Sequence, residues 1–396
     1  MDPLGCPLGP SLRANGWRAN GLVCCDAAVE AVLERQGHNA RGRVVLSPLL
    51  ALTVTLSATA TLALGCAAAS PPGAVGPSGA AAEAPSEPAP PPLAPLTSDE
   101  QRLRTELEQE VGAIAELGPR SLAHSWNLYS ATDHLARRLE IQGHEVVREG
   151  FTVGSEVLQN LEVVLPGKRA ETLVVAAHYD TSAESPGANA SATGAAVLLT
   201  LAKGLVARRL ERSLRLVWLC NEAGPNELGS PSAAPPGSVV YAQRLQQAHV
   251  PVLTTLTLGS LGFYSLSAGS QRYPEELLYG ADKRTRYGNF IAVLSNAGSN
   301  PVLEQLRPVL TAASLPVEEL ILPDSAPLAA DGPQARFWSA GLSGLALTDT
   351  AEFRSPHHDG ALDTPDKLDF DRLARVAKLL EGIVLSLAGP LEPRPG

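Results

Sequence analysis

A chain of 396 residues, 44% of them apolar, is long enough for a full core and by length alone would allow two or three domains. A net charge of −10, with no clustered run of Lys and Arg, argues against a nucleic-acid partner, because phosphate binding needs concentrated positive charge. Cys6, Cys24, Cys25 and Cys66 all precede residue 67 and leave Cys220 alone after it, so no disulfide can form within the C-terminal part.

Residues 1–43 form an N-terminal extension to which no feature assigns a role. Residues 44–64 (VVLSPLLALTVTLSATATLAL) carry no charge, follow Arg41 and Arg43, and lead to Gly65-Cys66, the order of an export signal. Ala63-Leu64-Gly65-Cys66 resembles the lipobox of bacterial lipoproteins, in which the cysteine is lipidated and becomes the new N-terminus. A plain transmembrane anchor is the alternative, since such a stretch can span a bilayer core of ~30 Å. Both predict an exported, membrane-anchored protein, lipoprotein-like and periplasmic or at the cell surface. Residues 67–97 are almost wholly Ala, Pro, Gly and Ser, too poor in large apolar side chains to offset chain entropy, and read as a disordered tether. The folded domain is expected over 98–390.

Ser98-Asp99-Glu100-Gln101 reads as a capping box with Ser98 at the N-cap, opening a helix to about Glu116. A second helix is predicted at 124–142, with Leu128, Leu135, Leu139 and Ile141 on its apolar stripe and Gly143 as its stop. The period then changes to that of strands at 145–153, 160–167 and 172–179. Beyond these, helices near 193–211, 237–249, 301–313 and 368–387 alternate with strands at 215–220, 252–259 and 341–349, with an irregular region after 259. Short apolar strands between helices predict an α/β fold, a mostly parallel central sheet flanked by helices on both faces. Ligands of such sheets bind beyond the carboxyl ends of the strands, which directs attention to 178–194, 221–230, 259–265 and 349–365.

The first of these stretches places Asp180 two positions after His178, a metal-ligand type of residue with a carboxylate to orient its ring, and Asn189 eleven positions after it. The others hold Asn221-Glu222-Ala223, Gly259, Thr348-Asp349-Thr350 and Pro356-His357-His358-Asp359. Over about 100–388 the stretches AHYDTSAESPGANASATGAAVLLTLA, RLVWLCNEAGPNELGS, LGFYSLSAGSQRYP and TDTAEFRSPHHDGALDTPDKLDFDRLARV resemble the M28 family of zinc aminopeptidases. Relatives of that family include glutaminyl cyclases and receptor domains without catalytic activity. The resemblance implies the zinc-aminopeptidase, phosphorylase/hydrolase-like fold. It also implies two zinc ions bridged by an aspartate and a water, with a glutamate taking the water's proton.

Carried over position by position, His178 falls on a ligand and Asp180 on its orienting partner, while the bridging aspartate falls on Asn189. The family's glutamate pair falls on Glu222-Ala223, keeping the general base and losing a ligand; a strand-end acid becomes Gly259 and the final histidine becomes Asp359. Laying NEAG on EEAG instead matches Glu222 to the second glutamate, and a loop tighter by one residue makes His358 the last ligand. Asn189 brings no bridging charge, and Ala223 and Gly259 have no ligand atom. At most one zinc is expected, at His178, Asp359 and His358; the favoured reading is no metal, with His178 and Asp180 a satisfied surface pair at a strand end and Cys220 a small core residue. The function expected is that of a membrane-tethered M28-like module without two-zinc peptidase activity, binding a peptide or protein in a vestigial cleft. The alternative is an active metallo-aminopeptidase, or a single-metal hydrolase or cyclase with Glu222 as base.

Overall fold

In the strand β3 (Arg169–His178), Leu173, Val175 and Ala177 point into one apolar cluster and Val174 and Ala176 into another. Its neighbour β5 (Arg212–Leu219) divides likewise, with Leu214, Leu216 and Trp218 on the first side and Val217 and Leu219 on the second. Successive side chains of a strand face opposite ways, so a run apolar at every position has to be covered on both faces. The computed structural model describes residues 87–206, 208–223, 235–277, 284–323, 332–389 and 392–393. The predicted membrane-anchor segment at 44–66 lies outside them; among the described residues no helix is long and apolar enough to cross a membrane.

The remaining strands are β1 (Val147–Val153), β2 (Glu156–Leu165), β6 (Val252–Leu258), β7 (Ile291–Asn296), β8 (Val317–Leu322) and β9 (Gly344–Thr348), with the two-residue β4 (Arg208–Arg209) and β10 (Glu392–Pro393) paired separately. The main sheet runs in the order β1-β2-β5-β3-β6-β9-β7-β8. Its centre, β5-β3-β6-β9, is parallel throughout, as is the β7-β8 pair, whereas β1, β2 and the β7-β9 junction are antiparallel. The expected mixed, mostly parallel α/β fold is therefore what the chain adopts. In register, His178 pairs with Leu219, Ala177 with Leu258, and Leu258 with Leu347, so the carboxyl ends of β3, β5, β6 and β9 open on one edge.

One face of the sheet is covered by α1 (Ser98–Ala115), α2 (Ser125–Ile141), α3 (Thr193–Leu205), α5 (Asn300–Thr311) and α7 (Phe370–Ala388), the other by α4 (Gly237–Gln247) and α6 (Gly332–Ser339). Most of α3 is buried, consistent with a helix apolar all round. It ends at Leu205, not 211, and β4 follows. β7 lies within the region expected to be irregular, and β8 and α6 fall between the expected helix at 301–313 and β9. Ile141, expected on the apolar stripe of α2, is 70% exposed at its last turn. The N-cap of α1 is Thr97 and its capping partner is Glu100, one residue before the predicted pair. Residues 87–97, the end of the expected tether, lie against the domain: Arg286 N–H donates to the Glu87 carboxylate at 2.8 Å, Arg375 donates to the Ala94 carbonyl, and Leu93 packs on the core.

Candidate functional site

His178 is the last residue of β3, and its Nδ1 lies 3.4 Å from Asp180 Oδ1, an ion-pair distance at which neither atom is aligned for a hydrogen bond. The other Asp180 oxygen accepts the backbone N–H groups of Glu222 (2.7 Å) and Ala223 (2.9 Å), which ties the β3 end to the β5 end. Burial depresses the imidazole pKa, but Asp180, Glu222 and Asp359 outweigh it and hold His178 above its ordinary value.

Glu222 is buried and has both oxygens engaged. One accepts the Ser238 N–H at 2.6 Å; the other accepts the Ser238 hydroxyl at 3.0 Å and the Arg336 guanidinium. Burial raises its carboxyl pKa and Arg336 opposes the rise. Neither Ser238, at the start of α4, nor Arg336, on α6, was singled out in the sequence.

Asn189 sits in a turn of π-helix, Ala188–Ala192, entered through Gly187 at φ 59°. A Cβ on Gly187 would lie 2.3 Å from the Thr181 side chain, so this turn requires glycine. The Asn189 amide donates to Asp349 Oδ2 at 2.8 Å and its oxygen accepts the Gly262 N–H at 2.8 Å. Asp349 also accepts the N–H groups of Phe263 (2.7 Å) and Ala351 (2.9 Å). Asp363 accepts those of Asn189 (2.8 Å) and Ala190 (3.0 Å). The three strand ends are thus laced together through Asn189, Asp349 and Asp363.

Beneath the loop lies Arg120, fully buried. Its side chain donates to the carbonyls of Tyr179 (2.7 Å) and Pro186 (2.7 Å) and to the Ser191 hydroxyl (2.8 Å). Burial pushes its pKa down to about 10 against the pull of Asp180 and Asp363.

Asp359 and His358 lie on the loop after β9, and the Asp359 charge reaches His178. His358 Nε2 is 3.3 Å from Asp359 and 3.8 Å from Glu352, and the Asp359 carbonyl accepts the Ser182 hydroxyl at 3.1 Å. His357 meets the Phe263 ring edge-on. Gly259 closes β6 with room to spare, since a Cβ there would meet nothing nearer than Thr348 at 3.6 Å. Beside it a cavity of about 170 Å³ reaches from His178 and Gly259 to Leu277, Leu320, Trp338 and Phe353. Asn221, Thr350, Ala351 and Asp359, all non-glycine residues with positive φ (62°, 77°, 47° and 53°), lie on the loops of this edge, where sterically costly backbone marks a demanding site.

Residues 160–384, more than half of the chain, match the peptidase family M28. The chain belongs to that family. Uncharacterised protein YfbL of Escherichia coli (strain K12) is 25% identical to this M28 chain over 299 residues, covering 71% of it and 87% of YfbL. The LapA aminopeptidase of Legionella pneumophila superposes with a TM-score of 0.56 at 16% identity, over 74% of this chain and 75% of that one. The glutaminyl cyclase of Fimbriiglobus ruber superposes at 0.52 and 19%, over 76% and 99%. At these identities the likeness establishes the shared M28 fold.

Zinc, which the family implies, finds an ill-suited set of donors for a pair of ions. Among the described residues no three His, Cys, Asp or Glu side chains are gathered to hold a metal. The Asn189 side chain is spent on Asp349 and Gly262, Glu222 is occupied by Ser238 and Arg336, and Ala223 and Gly259 offer no ligand atom.

Proposed function

We propose that this M28 domain is a membrane-tethered binding module without two-zinc peptidase activity, and that it takes a peptide or protein segment in its vestigial cleft. The observation that carries the reading is the Asn189 side chain: at the bridging position a neutral amide is consumed by Asp349 and Gly262, leaving no anion to hold two cations together. The cavity beside Gly259 supports a ligand with an apolar group, and the rim carboxylates of Glu352 and Asp359 suit a positively charged end. The tether rests on the apolar segment and the lipobox-like residues before Cys66.

A single-metal hydrolase or cyclase acting through Glu222 is the second reading, favoured by the contact of Asp180 with both His178 and the Glu222 backbone. It requires Glu222 to leave Ser238 and Arg336.

The experiment is to purify the full chain, count zinc after dialysis, and assay aminoacyl and N-terminal glutaminyl substrates alongside calorimetric binding of peptides with apolar first residues. No turnover, with peptide binding abolished by filling the cavity through Ala346→Phe, is the expected result. Turnover that Glu222→Gln abolishes overturns the proposal.

A further inference from the structure

The proposed loss of two-zinc chemistry leaves a physical question: what holds the Glu222 carboxylate at a buried strand end when no pair of metal ions balances the negative charge gathered there? Asp180 and Glu222 are both buried beneath the same edge, joined through the Glu222 N–H, and a buried carboxylate without a compensating charge is costly. The compensating groups come from the far face of the sheet. Ser238 opens α4 and supplies two donors to Glu222, and Arg336 of α6 supplies a guanidinium whose side chain is 17% exposed.

We propose that Arg336 is the built-in cation of this site, a positioning residue that neutralises Glu222 and fastens α4 and α6 to the β5 end, so that the edge stays folded without a metal. Resting on the reading of a non-catalytic cleft, this inference assigns the position of Glu222 to Arg336 and Ser238. Arg336 and Glu222 are 114 positions apart in sequence, so the contact fixes tertiary structure and not a local turn. A planar guanidinium suits this place because it stays charged when buried and brings several donors to a carboxylate.

The test uses the full chain and reads thermal midpoints in excess EDTA and in zinc. Removing one member of a buried ion pair strands the other, so Arg336→Met is expected to lower Tm by roughly 6–10 °C. Arg336→Lys is expected to recover part of the loss. Glu222→Met alone should also lower Tm, and the double variant Arg336→Met/Glu222→Met should lose much less than the sum of the two, because no charge is left uncompensated. Additive losses, or a neutral Arg336→Met, overturn the role of Arg336 while leaving the binding-module reading intact. Should Arg336→Met fail to fold, soluble Arg336→Met/Glu222→Met still supports the pairing, and an equally unfolded double variant overturns it. Wild-type Tm that is unchanged between EDTA and zinc is expected; a zinc-dependent rise with one or more ions bound per chain overturns the built-in cation.

Discussion

Asn189 and Asp349 share a hydrogen bond of 2.8 Å between two strand ends, both side chains out of water. Replacing the amide by the isosteric carboxylate, Asn189→Asp, would set two buried acids within hydrogen-bond distance, and such a pair cannot be fully ionised. The folded pair therefore titrates above the range near pH 4 of an unfolded carboxyl group. The penalty is full above the folded value and fades as pH falls toward the unfolded one. Urea denaturation should show a loss of roughly 3–5 kcal/mol at neutral pH, shrinking toward about pH 5. A loss independent of pH would show that the Asn189 amide acts through shape alone.

His178 yields a dependence of opposite sign. Its folded pKa is raised by Asp180, Glu222 and Asp359 against burial, so its contribution is complete below the unfolded value of 6.5 and disappears as pH rises through the folded value. The Tm gap between wild type and His178→Gln should be wide near pH 5 and narrow near pH 8.5. A gap that stays constant would mean that the three carboxylates do not stabilise the imidazolium.

Arg120 anchors the first loop from below: its guanidinium donates to the Tyr179, Pro186, Gly187, Ile114 and Gly118 carbonyls and to the Ser191 hydroxyl. Arg120→Met would leave these acceptors buried and unpaired, and unpaired buried groups cost more than a hydrogen bond contributes. A loss of roughly 3–5 kcal/mol in urea is expected, together with faster amide exchange over 179–191. Normal protection of that loop in the variant would refute the anchoring role.

The central strands were legible because β3 and β5 are apolar on both faces and β6 carries Leu256 and Leu258 on one of them, and the strand-end rule led directly to His178, Glu222, Gly259 and Asp349. The far side of the sheet was not. β8 carries Glu318 and Glu319 within Val317–Leu322 at the sheet edge, and α6 opens on Gly332-Pro333, so neither shows an uninterrupted period. Asn189 could be read as a departure from a ligand pattern, but its work as a hydrogen-bonding hub depends on Asp349, 160 positions away. Arg120 and Arg336 escaped for the same reason: their partners are assembled only by the fold.

The capping box of α1 was found one residue out of frame, and the difference can be measured. Thr97 Oγ1 accepts the Glu100 N–H at 3.2 Å, while Glu100 Oε2 accepts the Thr97 N–H at 2.8 Å, the reciprocal pair that satisfies two helix-end donors. The other Glu100 oxygen accepts the Ser314 hydroxyl at 2.8 Å, so this cap also joins α1 to the chain beyond α5. Thr97→Ala should cost roughly 1 kcal/mol in urea and Ser98→Ala no more than a few tenths. Glu100→Ala should cost more than Thr97→Ala, because it removes the cap, leaves the Ser314 hydroxyl without its acceptor and takes away the carboxylate 3.8 Å from the Arg375 guanidinium. If Ser98→Ala were the costlier of the two hydroxyl substitutions, the helix would begin one residue later and Gln101 would be the capping partner.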